Sequence, residues 1–215
     1  PYTEDLVGLP VINIRYVPLT NTVNWVAKRI VDIVGSLLGI IISSPLMIAS
    51  ALAVKFTSNG PVIFKQERVG LHNKTFKMYK FRTMEMQKTS DEEKGWTVKD
   101  DPRVTKVGKI LRKTSLDELP QLFNILMGEM SLVGPRPERP QFVEKFKEEI
   151  PRYMIKHQVR PGLTGWAQVN GYRGDTSIRR RIECDIYYIE NWSMILDIKI
   201  MFLTIFKGFI NENAY

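Results

Sequence analysis

The sequence predicts an α+β chain, mostly helical, with one long apolar segment suited to a membrane. Three observations lead there. Ile30–Val54 is a long apolar run whose only ionisable residue is Asp32. Two basic, aromatic-rich stretches with partial alternation follow it and read as short strands. Much of the remainder has the apolar spacing of helices, some amphipathic and suited to an interface. With 215 residues the chain can bury one respectable core. Its net charge of +8 and pI near 9.5 call for anionic partners: nucleic acid, phosphorylated substrates or an acidic membrane surface. A single cysteine, Cys184, excludes an internal disulfide, and two histidines leave little for a His-based metal site.

Residues 1–24 lack a helical period and read as a linker in which Val11, Ile12 and Ile14 could form one strand. They carry neither a basic start nor a long apolar run, so no secretory leader is expected there. Residues 25–56 are the expected membrane segment. As one straight helix, Ile30–Val54 would reach about 37 Å, enough for a bilayer core of about 30 Å. Ser43, Ser44 and Pro45 interrupt it. Pro45 has no N–H for the carbonyl of Ile41, and in lipid that carbonyl needs another donor, which a serine hydroxyl can supply. A buried core helix, a kinked spanning helix and a re-entrant helix hairpin all remain open. The cations at both ends (Lys28, Arg29 and Lys55) favour the hairpin, because both ends then rest on one anionic surface.

Residues 57–215 would form the body of the protein. Its first part, PVIFKQERVG and TFKMYKFRTM, gives the two strands, joined by a turn at 71–74. Between Lys55 and Arg82 there are seven basic residues and one acidic, Glu67. Cations interleaved with aromatics suit single-stranded nucleic acid or a lipid interface. No nucleic-acid motif accompanies them, so phosphate or lipid binding is the better reading. Met84–Arg103 is polar and reads as an exposed loop.

Val104–Pro137 is the stretch around which the rest is organised. Asp117 and Glu118 are adjacent, and Ser115 and Glu118 have capping-box spacing ahead of Pro120. A helix start favours an ionised aspartate and a neighbouring phosphate. Arg112 and Lys113 lie upstream, and Arg136 follows between Pro135 and Pro137, which restrict its backbone. Simple capping with a solvated Arg112 explains the same residues equally well. A helix over Gln121–Met130 should end at Gly128. Pro140–His157 reads as a charged helix broken near Pro151, and Arg179–Arg181 as a surface cluster. RPGLTGWAQVNG is a glycine-rich loop in which Trp166 is either core or a stacking platform. The tail after Asn191 reads as an interfacial or core helix.

LRKTSLDELPQLFN followed by MSLVGPRP, together with FKQERVG, YKFRTM and RPGLTGWAQVNG, closely resembles the bacterial sugar transferase family, the monotopic polyprenyl-phosphate phosphoglycosyl transferases. The resemblance runs in order from about Lys28 to the C-terminus. It implies transfer of a hexose-1-phosphate, glucose or galactose, from a UDP-sugar to undecaprenyl phosphate with release of UMP, on the cytoplasmic face of a bacterial inner membrane. It makes Asp117 and Glu118 the catalytic dyad, with Asp117 forming a sugar-phosphoryl intermediate. Mg²⁺ is the implied cofactor, with Asp117 and Glu118 as its protein ligands and Glu118 alternatively a base. Lys80, Arg82, Arg112 and Arg136 become phosphate-binding candidates. Where many small members place an arginine directly after Asn-Gly, this chain has Tyr172 and then Arg173, which could substitute. Ser44 and Pro45 match the family's re-entrant break. Longer members carry an N-terminal region, so the chain is expected to be the C-terminal part of such a protein. A homodimer would rest on that region, for the 215 residues carry no dimer signal. The expected partners are UDP-sugar, undecaprenyl phosphate and membrane lipids, with no nucleic acid. The rivals are a non-catalytic membrane-surface adaptor and a direct glycosyltransferase that releases UDP.

Overall fold

The computed structural model describes residues 2–6, 9–13, 17–85, 101–172 and 176–208. Among the described residues, one long helix, α1 (Thr22–Thr57), lies along a body of short helices and two two-stranded sheets, and a third two-stranded sheet precedes it in the chain. Ahead of it, β1 (Tyr2–Leu6) and β2 (Leu9–Asn13) pair antiparallel. The sequence reading therefore found part of one strand and missed its partner. Asn21 caps α1 by accepting from the backbone N–H groups of Val23 and Asn24. The helix thus starts a few residues before the expected linker ends.

α1 is unbroken through Pro45. The Ser44 hydroxyl donates to the carbonyl of Ile41 at 2.8 Å, the acceptor that the proline leaves without its N–H. Ser43 donates likewise to Gly39 at 2.6 Å. One stripe of α1 packs on the body along most of its length. Gly35 and Gly39 lie under Leu132 and Leu122, and Val54 is buried with Phe81 and Leu111. The other faces expose Ile30, Leu37, Ile41, Ile48, Leu52 and Phe56, and the helix is long and apolar enough to cross a membrane.

β3 (Ile63–Val69) and β4 (Thr75–Phe81) form the expected antiparallel hairpin, with Phe64 opposite Lys80. The turn between them puts His72 and Asn73 at positive φ. α2 (Lys106–Lys113) is capped by Thr105 and sits hard against the end of β4. A β-carbon on Gly108 would lie 2.0 Å from the Thr83 carbonyl oxygen, so only glycine permits this approach. α3 (Gln121–Met127) ends at Gly128 with φ 90°, as expected. It buries Leu122 and Ile125 and exposes Phe123 and Met127.

β5 (Ser131–Val133) pairs in parallel with β6 (Gly162–Thr164), so the glycine-rich stretch is partly strand rather than loop. α4 (Pro140–Glu149) stops before Pro151, and a 3-10 turn, Tyr153–Gln158, completes the segment. α5 (Trp166–Val169), α6 (Ile178–Glu190) and α7 (Met194–Gly208) close the body. Tyr188, Ile189, Trp192 and Ile200 form its largest core with Val133, Val159 and Val169. Trp166 packs on the edge of that core, stacked on Tyr187 at 5.8 Å.

Arg181 departs from the sequence reading. It is buried and pairs with Glu138, not with solvent, because α6 turns that face toward α4 and β3.

Candidate active site

Asp117 and Glu118 sit in a 3-10 turn, Leu116–Glu118, between α2 and α3. The capping box does not form. Ser115 adopts φ 56°, left-handed rather than the extended conformation that a cap needs, and the chain turns before α3 begins after Pro120. The tight turn places both carboxylates against β4, α1 and α2, where they are 8% and 7% exposed.

A carboxylate that far from water needs compensation. Glu118 has two cations on one oxygen: Lys80 Nζ donates to Oε1 at 2.7 Å and Arg136 Nη2 at 3.0 Å. Lys80 comes from β4, two residues beyond Met78 and therefore on the same strand face. Burial pushes the Lys80 ammonium down, and Glu118 opposes that shift. For Arg136 the balance reverses: Glu118 raises its pKa more than burial lowers it. Asp117 lies in the field of Arg112, Lys80 and Arg136, favouring the charged form of each. Arg112 donates from Nε to Thr83 Oγ1 at 2.9 Å and is lowered mainly by burial.

Arg68 belongs to the same cluster, and sequence reasoning gave it no role. It donates from Nη1 to the Pro137 carbonyl at 3.0 Å, and burial followed by repulsion from Arg136 brings its pKa down to about 10. The FKQERVG resemblance includes it, but its role was not legible there because its partner lies 69 residues away.

The remaining candidates fall elsewhere. Arg82 is buried beside the end of α1 and donates through Nη2 to the carbonyl and hydroxyl oxygens of Ser58 at 2.7 and 2.8 Å. Its Nε and Nη1 have no hydrogen-bond partner among the described residues. Ser44 and Pro45 lie within α1. Arg173 lies outside the described residues.

As a metal site, the arrangement offers few ligands. No group of three carboxylate, histidine or cysteine residues is placed to hold a metal ion among the described residues. Mg²⁺ nevertheless suits one or two carboxylates supplemented by phosphate oxygens. Glu118 already faces two cations, so Asp117 is the better protein ligand. Chemically, the site pairs an acidic dyad with clustered cations, a combination fitted to phosphoryl chemistry on an anionic substrate.

Comparison with known proteins points the same way. The family model described as Bacterial sugar transferase matches residues 23–211. The UDP-glucose:undecaprenyl-phosphate glucose-1-phosphate transferase of Klebsiella pneumoniae is 51% identical over 99% of this chain and 46% of its own length. The protein of the same name from Escherichia coli K12 is 48% identical, with the same coverage. In Aeromonas hydrophila, the UDP-N-acetylgalactosamine-undecaprenyl-phosphate N-acetylgalactosaminephosphotransferase is 51% identical over 83% of this chain and 42% of its own length. The chain thus spans about half the length of these relatives. The match runs through the long helix, the strand hairpin, the Asp117–Glu118 turn and the arginine segment alike, and the chain belongs to the bacterial sugar transferase family.

Proposed function

We propose that this protein transfers a hexose-1-phosphate, with glucose as the first candidate sugar, from a UDP-sugar to undecaprenyl phosphate at a membrane surface. One observation carries the reading: an adjacent, buried Asp117–Glu118 pair is set among cations from separate elements. Arg68, Lys80, Arg112 and Arg136 against these two carboxylates leave a formal charge of +2. A sugar nucleotide diphosphate would offset it. The names of the relatives support the donor and the acceptor.

In the proposed reaction an Asp117 oxygen attacks the β-phosphorus of the UDP-sugar, and the bond to the bridging oxygen breaks, releasing UMP. The phosphate of the lipid then attacks the same phosphorus, regenerating the carboxylate and forming the lipid diphosphate sugar. Splitting one displacement into two is ordinary covalent catalysis. Lys80 and Arg136 hold Glu118 beside the reacting centre, while Arg112 and Arg68 offset the charge of the diphosphate. Mg²⁺, held by Asp117 together with substrate oxygens, would neutralise phosphate charge. Every side chain invoked comes from one chain, so the chemistry does not call for a homodimer.

The membrane geometry supports the same reading. Elements of one body fasten both ends of α1, Arg29 and Lys28 at the start and Ser58 just past the end. We take α1, one continuous helix rather than a hairpin, as an anchor embedded from one side of the membrane, its two ends on the cytoplasmic side, where UDP-sugars and the acceptor phosphate meet.

The test is nucleotide release by protein reconstituted with undecaprenyl phosphate and Mg²⁺. The donors are UDP-glucose, UDP-galactose and UDP-N-acetylgalactosamine, each with wild type and Asp117→Asn. UMP from one donor, lost in the variant, is the expected result and names the sugar. Release of UDP would move the chemistry to direct glycosyl transfer. Vesicle binding by wild type with no nucleotide released from any donor would favour the adaptor.

A further inference from the structure

Glu138 and Arg181 have no part in the chemistry described so far, yet they are among the most buried charges in the protein, 5% and 3% exposed. Arg181 Nη1 donates to Glu138 Oε1 at 3.2 Å across the contact between α6 and the start of α4. Replacing such pairs by apolar residues is often neutral or stabilising, so bulk stability is a weak reason for this one.

Its surroundings supply a better reason. Glu138 lies two residues beyond Arg136, on a segment whose backbone is fixed on both sides of that arginine. Gly134 N donates to Thr164 O at 2.9 Å, and Gly162 N to Pro135 O at 2.9 Å. Arg68 Nη1 donates to Pro137 O at 3.0 Å, and Val69 N to Glu138 O at 3.0 Å. The backbone is therefore set, and from it the Arg136 side chain reaches Glu118 through a hydrogen bond of 3.0 Å. Arg68 repels that guanidinium. The Glu138 carboxylate pairs with Arg181 and, two residues from Arg136 and next to the Pro137 carbonyl that Arg68 holds, favours the charged form of both, so beside Glu118 it is a second counter-ion for two crowded guanidiniums.

We propose that Glu138, oriented by Arg181, is a positioning residue that holds the Arg136 guanidinium on Glu118. It touches no substrate and acts through Arg136. This inference rests on the transferase reading above.

A double-mutant cycle on hexose-1-phosphate transfer by reconstituted protein tests it. Glu138→Gln keeps the side-chain shape and removes the charge. In wild type it should lower kcat about tenfold, a typical size for residues sharing one network, with KM for UDP-glucose changed less than about twofold. In an Arg136→Gln background the same change should cost nothing further. Additive losses, or a kcat within about twofold of wild type for the folded single variant, overturn the proposal. Should Glu138→Gln fail to fold, Arg181→Lys carries the cycle with the same expected non-additivity, because it keeps the charge and loses the guanidinium geometry. A swap, Glu138→Arg with Arg181→Glu, must not restore activity. It would rescue a simple structural pair, but here it puts a third positive charge beside Arg68 and Arg136. A wild type that transfers no sugar phosphate removes the transferase reading and this inference with it; an active wild type with an additive cycle removes the inference alone.

Discussion

Glu118 shows how sharply roles divide between neighbouring residues. One of its oxygens accepts from both Lys80 and Arg136, whereas Asp117 acts on Arg112, Lys80 and Arg136 through its charge. In the proposed reaction Asp117 does covalent work, and Glu118 is the anchor on which two cations are aimed. Lys80→Met should then lower kcat by about a hundredfold, the scale of losing one preorganised charge at a transition state. The chain should stay folded, since Arg136 still compensates Glu118. Steady-state kinetics with a melting curve checks this, and a variant with near-normal kcat would remove Lys80 from the site. At this scale the sequence was informative where spacing is local. Asp117, Glu118 and Arg136 stand out by local pattern, Lys80 only through the family resemblance, and the fold gathers the four. The sequence placed Arg68 in a matching motif without a role and did not single out Glu138; the meaning of both comes from contacts with segments far away in the chain. The three consecutive arginines at 179–181 looked alike in sequence, and only the packing of α6 singles out Arg181.

Elements that repeat locally were the legible ones. β3 and β4, the end of α3 at Gly128 and the break before Pro151 follow from alternation, glycine and proline. The Asp117–Glu118 turn was misread as a capping box because tertiary packing, not local spacing, sets Ser115 left-handed. The 3-10 turn Tyr153–Gln158 was not foreseen either. It carries a polar cluster in which buried His157 bonds Asn73 of the β3–β4 turn at 2.6 Å, and Lys156 faces Asp185 of α6 at 3.4 Å. Burial, aided by Lys156, pushes His157 down to about 4. The unfolded chain therefore takes up a proton there from about pH 6.5 downward, whereas the folded chain stays neutral until about pH 4. Acidification through that window favours unfolding. Asp185, raised to about 6 by burial, has the opposite sign, binding a proton more readily when folded. Replacing His157 by Gln removes only the unfavourable member. The variant should gain stability relative to wild type as pH falls from 6.5 to 4, by on the order of 2–3 kcal/mol at the lower limit. Denaturant unfolding at several pH values measures the difference. A constant difference across the window would mean that His157 titrates normally in the fold.

Over the whole molecule, the question is which side of the membrane each end of α1 occupies. By length alone the 36-residue helix would reach about 54 Å, more than a bilayer core of about 30 Å needs. Its attachments oppose a simple crossing. Lys28 bonds Asp197 of α7 at 2.6 Å, in a buried cluster that Tyr188 and Trp192 complete. Arg29 donates to the carbonyl oxygens of Ile125 and Leu126 at the end of α3. Asp32 accepts from Ser131 and from the Leu132 backbone N–H at 2.9 Å. At the far end, Arg82 holds Ser58, and Val54 shares a core with Phe81 and Leu111. A polar body that grips both ends cannot leave them on opposite faces of a bilayer without burying its own charges in lipid, at a cost of several kcal/mol for each ion. The apolar stripe of α7 (Ile195, Ile198, Phe202 and Ile205) is exposed as well, a surface whose chemistry suits the same leaflet. Single cysteines at Thr22 and Asn59, in a Cys184→Ser background, should therefore react with a membrane-impermeant maleimide from one and the same side of sealed vesicles. Labelling from opposite sides would make α1 a spanning helix. The two ends could then not both be held by one body, so Lys28–Asp197 or Arg82–Ser58 would have to open in the membrane. The topology measurement thus tests the packing of α1 and the placement of the Asp117 site together.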